Sequence, residues 1–208
     1  MSVLSGALAS RRLKDGSLAI SPKPHVKRTA AAIDLRLGRW FISMRDSRLS
    51  MLDIRSSGVE GEFEVRKHAK ETFVPFGEAF ILHPGRFVLA STLEWVTLPN
   101  DLMAFVTGKS SWARRGLSVE GAPGVHPGFS GCLTLEVANH GVVPIEILSG
   151  MEICQLFLLE MSTEQTEADA TLIGPKVNSN VHGMRRKPSI APIDVDPVVT
   201  RLKRSKER

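Results

Sequence analysis

From Ala32 onward the chain is cut into short apolar runs by Gly, Pro, Asp and Asn, and that punctuation restricts what it can fold into. Ile33, Leu35 and Leu37 alternate with Asp34, Arg36 and Gly38, the period of two of a half-buried strand. Phe80-Ile81-Leu82 and Phe87-Val88-Leu89-Ala90 flank His83-Pro84-Gly85, which predicts two strands with a tight connection between them. Further strands are expected at 95–98, 102–107, 132–138, 144–148 and 153–159. Such spacing belongs to an antiparallel sandwich or barrel. Ahead of this region, Leu4, Ala7 and Leu8 fall at helical spacing and Asp15-Gly16 forms a stop, so residues 1–20 predict a short helix entering a turn. Residues 47–71 are polar and irregular, an expected surface excursion.

With 208 residues the chain suits one domain, or one domain and a tail. Its 27 Lys and Arg exceed its 22 Asp and Glu, but the surplus is local. Residues 185–208 hold eight basic and three acidic side chains, which leaves residues 1–184 balanced. A balanced body lacks the broad cationic face that tracks a phosphate backbone, so nucleic acid is not the expected partner. No apolar run approaches the ~20 residues of a membrane helix. The first residues lack the basic, apolar and cleavage regions of a secretory signal, and a cytoplasmic protein is expected. Cys132 and Cys154 have neither CxxC nor CxxH spacing, so they are expected to be buried and reduced.

Thr107-Gly108-Lys109-Ser110 resembles the end of a phosphate-binding P-loop, but that pattern needs Gly at position 103, which is Met. Dinucleotide-binding glycine patterns and the zinc-hydrolase and zinc-deaminase motifs are absent as well. What remains is a dense polar region over 108–136. In its last strand, period two puts Leu133, Leu135 and Val137 on one face and Cys132, Thr134 and Glu136 on the other. Read alone, Glu136 is either a chemical group or an ordinary solvent-facing carboxylate. Lys109, Arg114 and Arg115 are equally open to reading as solvated charge, and Ser110 and Ser111 as turn residues.

An ordered set of short strings carries a resemblance. It comprises Asp15-Gly16-Ser17-Leu18, Ala32-Ile33-Asp34-Leu35-Arg36-Leu37-Gly38, Phe80-Ile81-Leu82-His83-Pro84-Gly85 and Thr92-Leu93-Glu94 with Val96-Thr97-Leu98-Pro99. There follow Gly108-Lys109-Ser110-Ser111 with Ala113-Arg114, Pro127-Gly128-Phe129-Ser130-Gly131, Leu135-Glu136, and Gly150-Met151 with Ile153 and Gln155-Leu156. Across about two thirds of its length the chain resembles dCTP deaminases of the trimeric dUTPase-like superfamily.

The resemblance implies a mainly β fold, a distorted antiparallel barrel of jelly-roll-like, dUTPase type with a short N-terminal helix. It implies a domain over residues 1–173, a nucleotide-closing arm at 174–184 and a basic tail at 185–208. The activity implied is hydrolytic deamination of dCTP to dUTP and ammonia by a homotrimer with sites at subunit interfaces. Glu136 would act as general base toward water. Ser110 and Arg114 would complete the catalytic set. Lys109 and Ser111 would serve the triphosphate, with Mg²⁺ carried by the nucleotide and no zinc, and Trp112 and Ala113 would belong to the same substrate-binding segment. Thr134 and Leu135 would line the base and sugar.

Three departures from the family pattern bear on the activity. Val125-His126-Pro127-Gly128 stands where the family has Ile-Asp-Pro-Gly. His126 replaces an acidic residue that approaches the sugar and that in the diphosphatases positions water, so it disfavours pyrophosphate release. His126 can equally be a loop residue without chemistry. Residues 119–124 form a base-recognition loop one residue shorter than usual. Finally, there is no tyrosine for the closing arm, whose nearest counterparts are Lys176 and Asn180. Alternatives are a dUTP or deoxynucleotide diphosphatase and a non-catalytic nucleotide-binding regulator of the same fold.

Overall fold

Period-two alternation becomes a curled antiparallel sheet in the computed structural model, which describes residues 2–27, 29–45, 66–161 and 186–188. The chain divides into two compact units, Met1–Ile42 with Glu71–Ser189 and Ser43–Lys70 with Ile190–Arg208. Of the second, residues 43–45 and 66–70 are described, where the Arg45 N–H donates to the His68 carbonyl at 2.7 Å. The implied closing-arm residues Lys176 and Asn180 lie outside the described residues.

The strands are β1 (Ser2–Val3), β2 (Ala19–Ser21), β3 (Ala32–Met44), β4 (Ala69–Phe73), β5 (Ala79–Leu82), β6 (Phe87–Thr97), β7 (Leu102–Gly108), β8 (Leu117–Glu120), β9 (Gly124–Val125), β10 (Ser130–Asn139), β11 (Ile145–Leu148) and β12 (Glu152–Glu160). The helices are α1 (Gly6–Asp15) and the single turn α2 (Ser110–Ala113). Along the main sheet the order is β8-β10-β6-β3-β12-β7-β9. Between its two ends, Gly108 at the close of β7 lies against Val119 of β8, where an added Cβ would stand 3.3 Å from the Val119 nitrogen. The sheet therefore curls until β7 meets β8.

The inward row is as the alternation predicts: Ile33, Leu35 and Leu37 of β3 and Leu133, Leu135 and Val137 of β10 are all buried. Truncating one such leucine to alanine typically costs about 2–5 kcal/mol. Three sequence readings are corrected. The runs at 87–90 and 95–98 belong together, because β6 is continuous over Phe87–Thr97. As expected, 83–85 joins β5 to β6, and the two strands take different partners: β5 pairs β11 in a separate two-stranded sheet while β6 pairs β10. Asn139 fixes that arrangement, donating through Nδ2 to the carbonyls of Leu82 (2.8 Å) and Val143 (2.9 Å). In the helix, Leu4 precedes the first turn and Leu8 is exposed; Ala9 is buried and Leu13 packs on the core. Ser5 caps the start, accepting from the Leu8 N–H, and Gly16 at φ 83° ends it in the left-handed conformation a β-carbon disfavours. The third correction is at the end of the surface excursion, where Ala69–Phe73 is strand.

One irregularity matters for the site. In the β6–β10 pair Cys132 faces Trp95 but Thr134 faces Ser91, so three β6 residues oppose Leu133. Thr92 fills the gap: its Oγ1 accepts from the Leu133 N–H (2.9 Å) and donates to the Glu94 carbonyl (2.8 Å). Glu94 continues the inward row of Val88, Ala90, Thr92 and Val96 and is 0% exposed. Arg36 meets it twice, through Nε (2.6 Å) and through its backbone N–H (2.8 Å). A buried charge is thereby matched by a cation and a backbone donor.

Candidate active site

Glu136 sits near the middle of β10, half-buried, on the face opposite the apolar row. β8 runs along it in antiparallel register, with Glu120 directly across from Glu136. The chain then turns through Gly121, Ala122 and Pro123 into β9, which pairs with β7 at Ala104↔Val125 and Phe105↔Gly124. The Pro123 carbonyl also accepts from the Val106 N–H at 2.8 Å. A three-residue turn pinned at both ends thus crosses the Glu136 carboxylate. Burial raises the Glu136 pKa above the ordinary carboxylate value, partly offset by hydrogen bonds from the N–H groups of Ala122 and of Glu136 itself. Among the described residues no cation contributes to that shift.

The Gly108-Lys109-Ser110-Ser111 segment leaves β7 and forms α2. Ser110, Ser111, Ala113 and Arg114 are exposed there, and backbone bonds close the turn: Ala113 N–H to the Lys109 carbonyl (3.0 Å) and Arg114 N–H to the Ser110 carbonyl (3.1 Å). Trp112 packs on the core and donates Nε1–H to the Glu152 carbonyl at 2.9 Å. Arg115 donates to the Ser111 carbonyl at 2.6 Å. Lys109 is the most constrained member. Its Nζ lies 3.1 Å from Asp34 Oδ2 on β3 and 2.5 Å from Glu152 Oε2 on β12. Gln155 donates to the other oxygen of Asp34 at 3.0 Å. Burial alone would depress the Lys109 pKa, but the two carboxylates together outweigh it and the net direction is upward.

Among the remaining residues of interest, Thr134 shares the Glu136 face and sits opposite Ser91. Leu135 turns its side chain into the core, so its main chain alone is available to a ligand. His126 is exposed in the turn after β9, its carbonyl accepting from the Phe129 N–H at 3.2 Å. On the Ser91 side, Ser91 Oγ donates to the Arg186 carbonyl at 3.1 Å. Lys187 Nζ is 2.9 Å from Glu71 and 3.9 Å from the Trp40 ring centroid. Both cysteines are free and buried. Burial, with Glu94 adding and Arg186 opposing, pushes the Cys132 thiol up to about 11, and burial raises Cys154 too, so neither is a nucleophile at neutral pH.

Sequence reasoning missed Gly121 and Ala122, which touch Glu136, and Asp34, Glu152 and Gln155, which hold Lys109. The first pair carried a signal, since Gly121 lies in the loop singled out for its length. The second set carried none, because Asp34 reads as one polar position of an alternating strand. Among the described residues no three His, Cys, Asp or Glu side chains gather as a metal-ligand set. No helix among them is long and apolar enough to cross a membrane.

In β10 of the curled antiparallel sheet, Glu136 presents a half-buried carboxylate against the turn at 121–123, and among the described residues no cation contributes to its pKa. The model of the dCTP deaminase-like family matches residues 3–161, and the chain belongs to that family. It is 41% identical over 164 residues to a dCTP deaminase of Natronomonas pharaonis, covering 77% of this chain and 82% of that protein. It is 34% identical over 198 residues to a Methanobrevibacter smithii protein described as dCTP deaminase, dUMP-forming, covering 94% of this chain and 97% of that one. Among solved structures, the 2'-deoxycytidine 5'-triphosphate deaminase of Agrobacterium tumefaciens aligns with a TM-score of 0.58 at 18% identity, over 82% of this chain and 52% of that chain. That likeness is one of fold.

Proposed function

We propose that this chain hydrolyses dCTP to dUTP and ammonia, with Glu136 as general base. The observation that carries the reading is the Glu136 carboxylate itself: half-buried on the polar face of β10, held by backbone N–H groups and raised in pKa. Water is too weak a nucleophile to attack C4 of cytosine unaided, and a carboxylate of raised basicity is suited to take its proton. The oxygen then bonds to C4, the proton passes to the exocyclic nitrogen, the C4–N bond breaks and ammonia leaves. One water is consumed for each ammonia released. Ser110 and Arg114 would orient the water and stabilise the tetrahedral centre. Within one chain no cation contributes to the pKa of Glu136 among the described residues, which favours a homotrimer in which a neighbouring copy supplies that group. Lys109 and Ser111 would receive the triphosphate and its Mg²⁺, Lys109 by exchanging carboxylate partners for phosphate. Thr134, the Leu135 main chain and His126 would border the nucleoside, and Lys176 and Asn180 would serve the closing arm. Nucleotide metabolism in the cytoplasm is the setting this reading implies.

Incubating purified protein with dCTP and Mg²⁺ and measuring ammonia and dUTP tests the proposal. A second reading has one specific support, the dUMP-forming description of the Methanobrevibacter smithii relative. His126 stands against it, since imidazole replaces the carboxylate that would position water at the phosphate. Pyrophosphate release from dCTP or dUTP separates the two.

A further inference from the structure

We propose that Gly121 and Ala122 are positioning residues for Glu136: a turn with no side chain at 121 and a free N–H at 122 holds the carboxylate in one orientation against the β8–β9 connection. The proposal rests on the deaminase reading for its catalytic meaning and on the geometry for its existence. Gly121 has φ +92°, a conformation L side chains rarely adopt. An ideal β-carbon there would overlap Glu136 Oε2, stand 2.5 Å from its Cδ and 3.1 Å from its Cγ. The Glu136 carboxyl therefore occupies the volume where any other residue's Cβ would be. Ala122, next in the chain, donates its N–H to that carboxylate.

The turn has little freedom to yield. Glu120 is in ladder register with Glu136 on one side, and Gly124 and Val125 are paired to β7 on the other. The Pro123 carbonyl is fixed by the Val106 N–H. With one oxygen against Gly121, the carboxylate keeps lone pairs for a water approaching from the open side. A general base displaced by about 1 Å loses its hydrogen-bond geometry to the reacting water, and rate falls about 10²-fold for that order of misplacement. The turn at 121–123 thus brings backbone, and not a side chain, against Glu136.

A melting cycle and a pH profile together test this. Thermal melting is compared for wild type, Gly121→Ala, Glu136→Ala and the double variant. Gly121→Ala is expected to lower the midpoint strongly when Glu136 is present and at least twofold less when Glu136 is truncated, the remainder being the cost of positive φ. Equal penalties in both backgrounds overturn the proposal. If Gly121→Ala alone does not fold, recovery of a folded chain on adding Glu136→Ala supports the cradle, and failure to recover overturns it. In folded Gly121→Ala, kcat for dCTP is expected to fall at least tenfold with KM within about threefold. The acid limb of its pH profile should move to lower pH, because a carboxylate pushed toward water loses the burial that raises it. An unchanged kcat and profile overturn the positioning role. A wild type that does not deaminate dCTP defeats the activity reading and leaves the melting cycle to decide the cradle.

Discussion

Glu94 and Glu136 occupy neighbouring antiparallel strands and end in opposite circumstances. Glu94 on β6 is fully buried and is met by the Arg36 guanidinium and the Arg36 N–H. Glu136 on β10 is half-buried, is met by backbone N–H groups, and has its pKa raised by burial. A buried carboxylate that holds a fold together is matched by a partner of its own, whereas Glu136 meets no cation among the described residues, the contrast on which the proposed chemistry rests. Strand parity is the local cause, since Glu94 falls in the inward row of β6 with Val88, Ala90 and Val96, while Glu136 alternates with the inward Leu133, Leu135 and Val137 of β10.

The comparison breaks most visibly at Arg36. Arg36→Ala strands the Glu94 carboxylate in the core, and removal of one partner of a buried pair costs about 3–5 kcal/mol. At this chain length that corresponds to a fall in melting temperature of about 6–20 °C, checked by thermal unfolding. Should Arg36→Ala melt like wild type, Glu94 and Glu136 would not differ in the way described. A smaller effect is expected at Lys109. Lys109→Gln should raise KM for dCTP about tenfold, the equivalent of ~1.4 kcal/mol, with kcat nearly unchanged. Steady-state kinetics decide it, and a loss confined to kcat would place Lys109 in the chemistry instead of at the phosphates.

The smallest effect concerns the stability cost of keeping Glu136 unpaired. Its folded pKa lies above the unfolded one, so the folded state holds the proton more tightly, and stability falls as pH rises from the ordinary carboxylate value through the raised one. Glu136→Gln removes that cost while retaining an acceptor for the backbone N–H groups. It is expected to melt about 1–3 °C higher than wild type at neutral pH, with the advantage disappearing as pH is lowered below the carboxylate range. Melting curves across pH show whether the sign is right. Together with the Gly121→Ala cycle, these variants separate the charge of Glu136 from its position.

Much of this was legible before the structure. Alternation at Ile33, Leu35 and Leu37 and at Leu133, Leu135 and Val137 gave the strands and, through them, the face on which Glu136 lies, because period two is a local property. Pairing is not local. The string around His83-Pro84-Gly85 reads as a tight connection between strands, but nothing in it says that β5 pairs β11 while β6 pairs β10, or that Asn139, over fifty residues away in sequence, donates to the Leu82 carbonyl. Lys109 reads as a free cation until strand order brings β3 and β12 beside the end of β7, with Asp34 and Glu152 on them. Leu8 fits a helical spacing, yet the stripe that turns inward runs through Gly6, Ala9 and Leu13 and leaves Leu8 exposed, because several stripes share that spacing and tertiary packing selects one.

The central claim is that Glu136 removes a proton from water during dCTP hydrolysis. Wild type and Glu136→Gln, incubated side by side with dCTP and Mg²⁺ and assayed for ammonia and dUTP, test it most directly. The account predicts equimolar ammonia and dUTP from wild type and a 10²–10⁴-fold lower rate from the variant, the usual contribution of a general base. Equal rates from the two proteins, or no product from either, would contradict it.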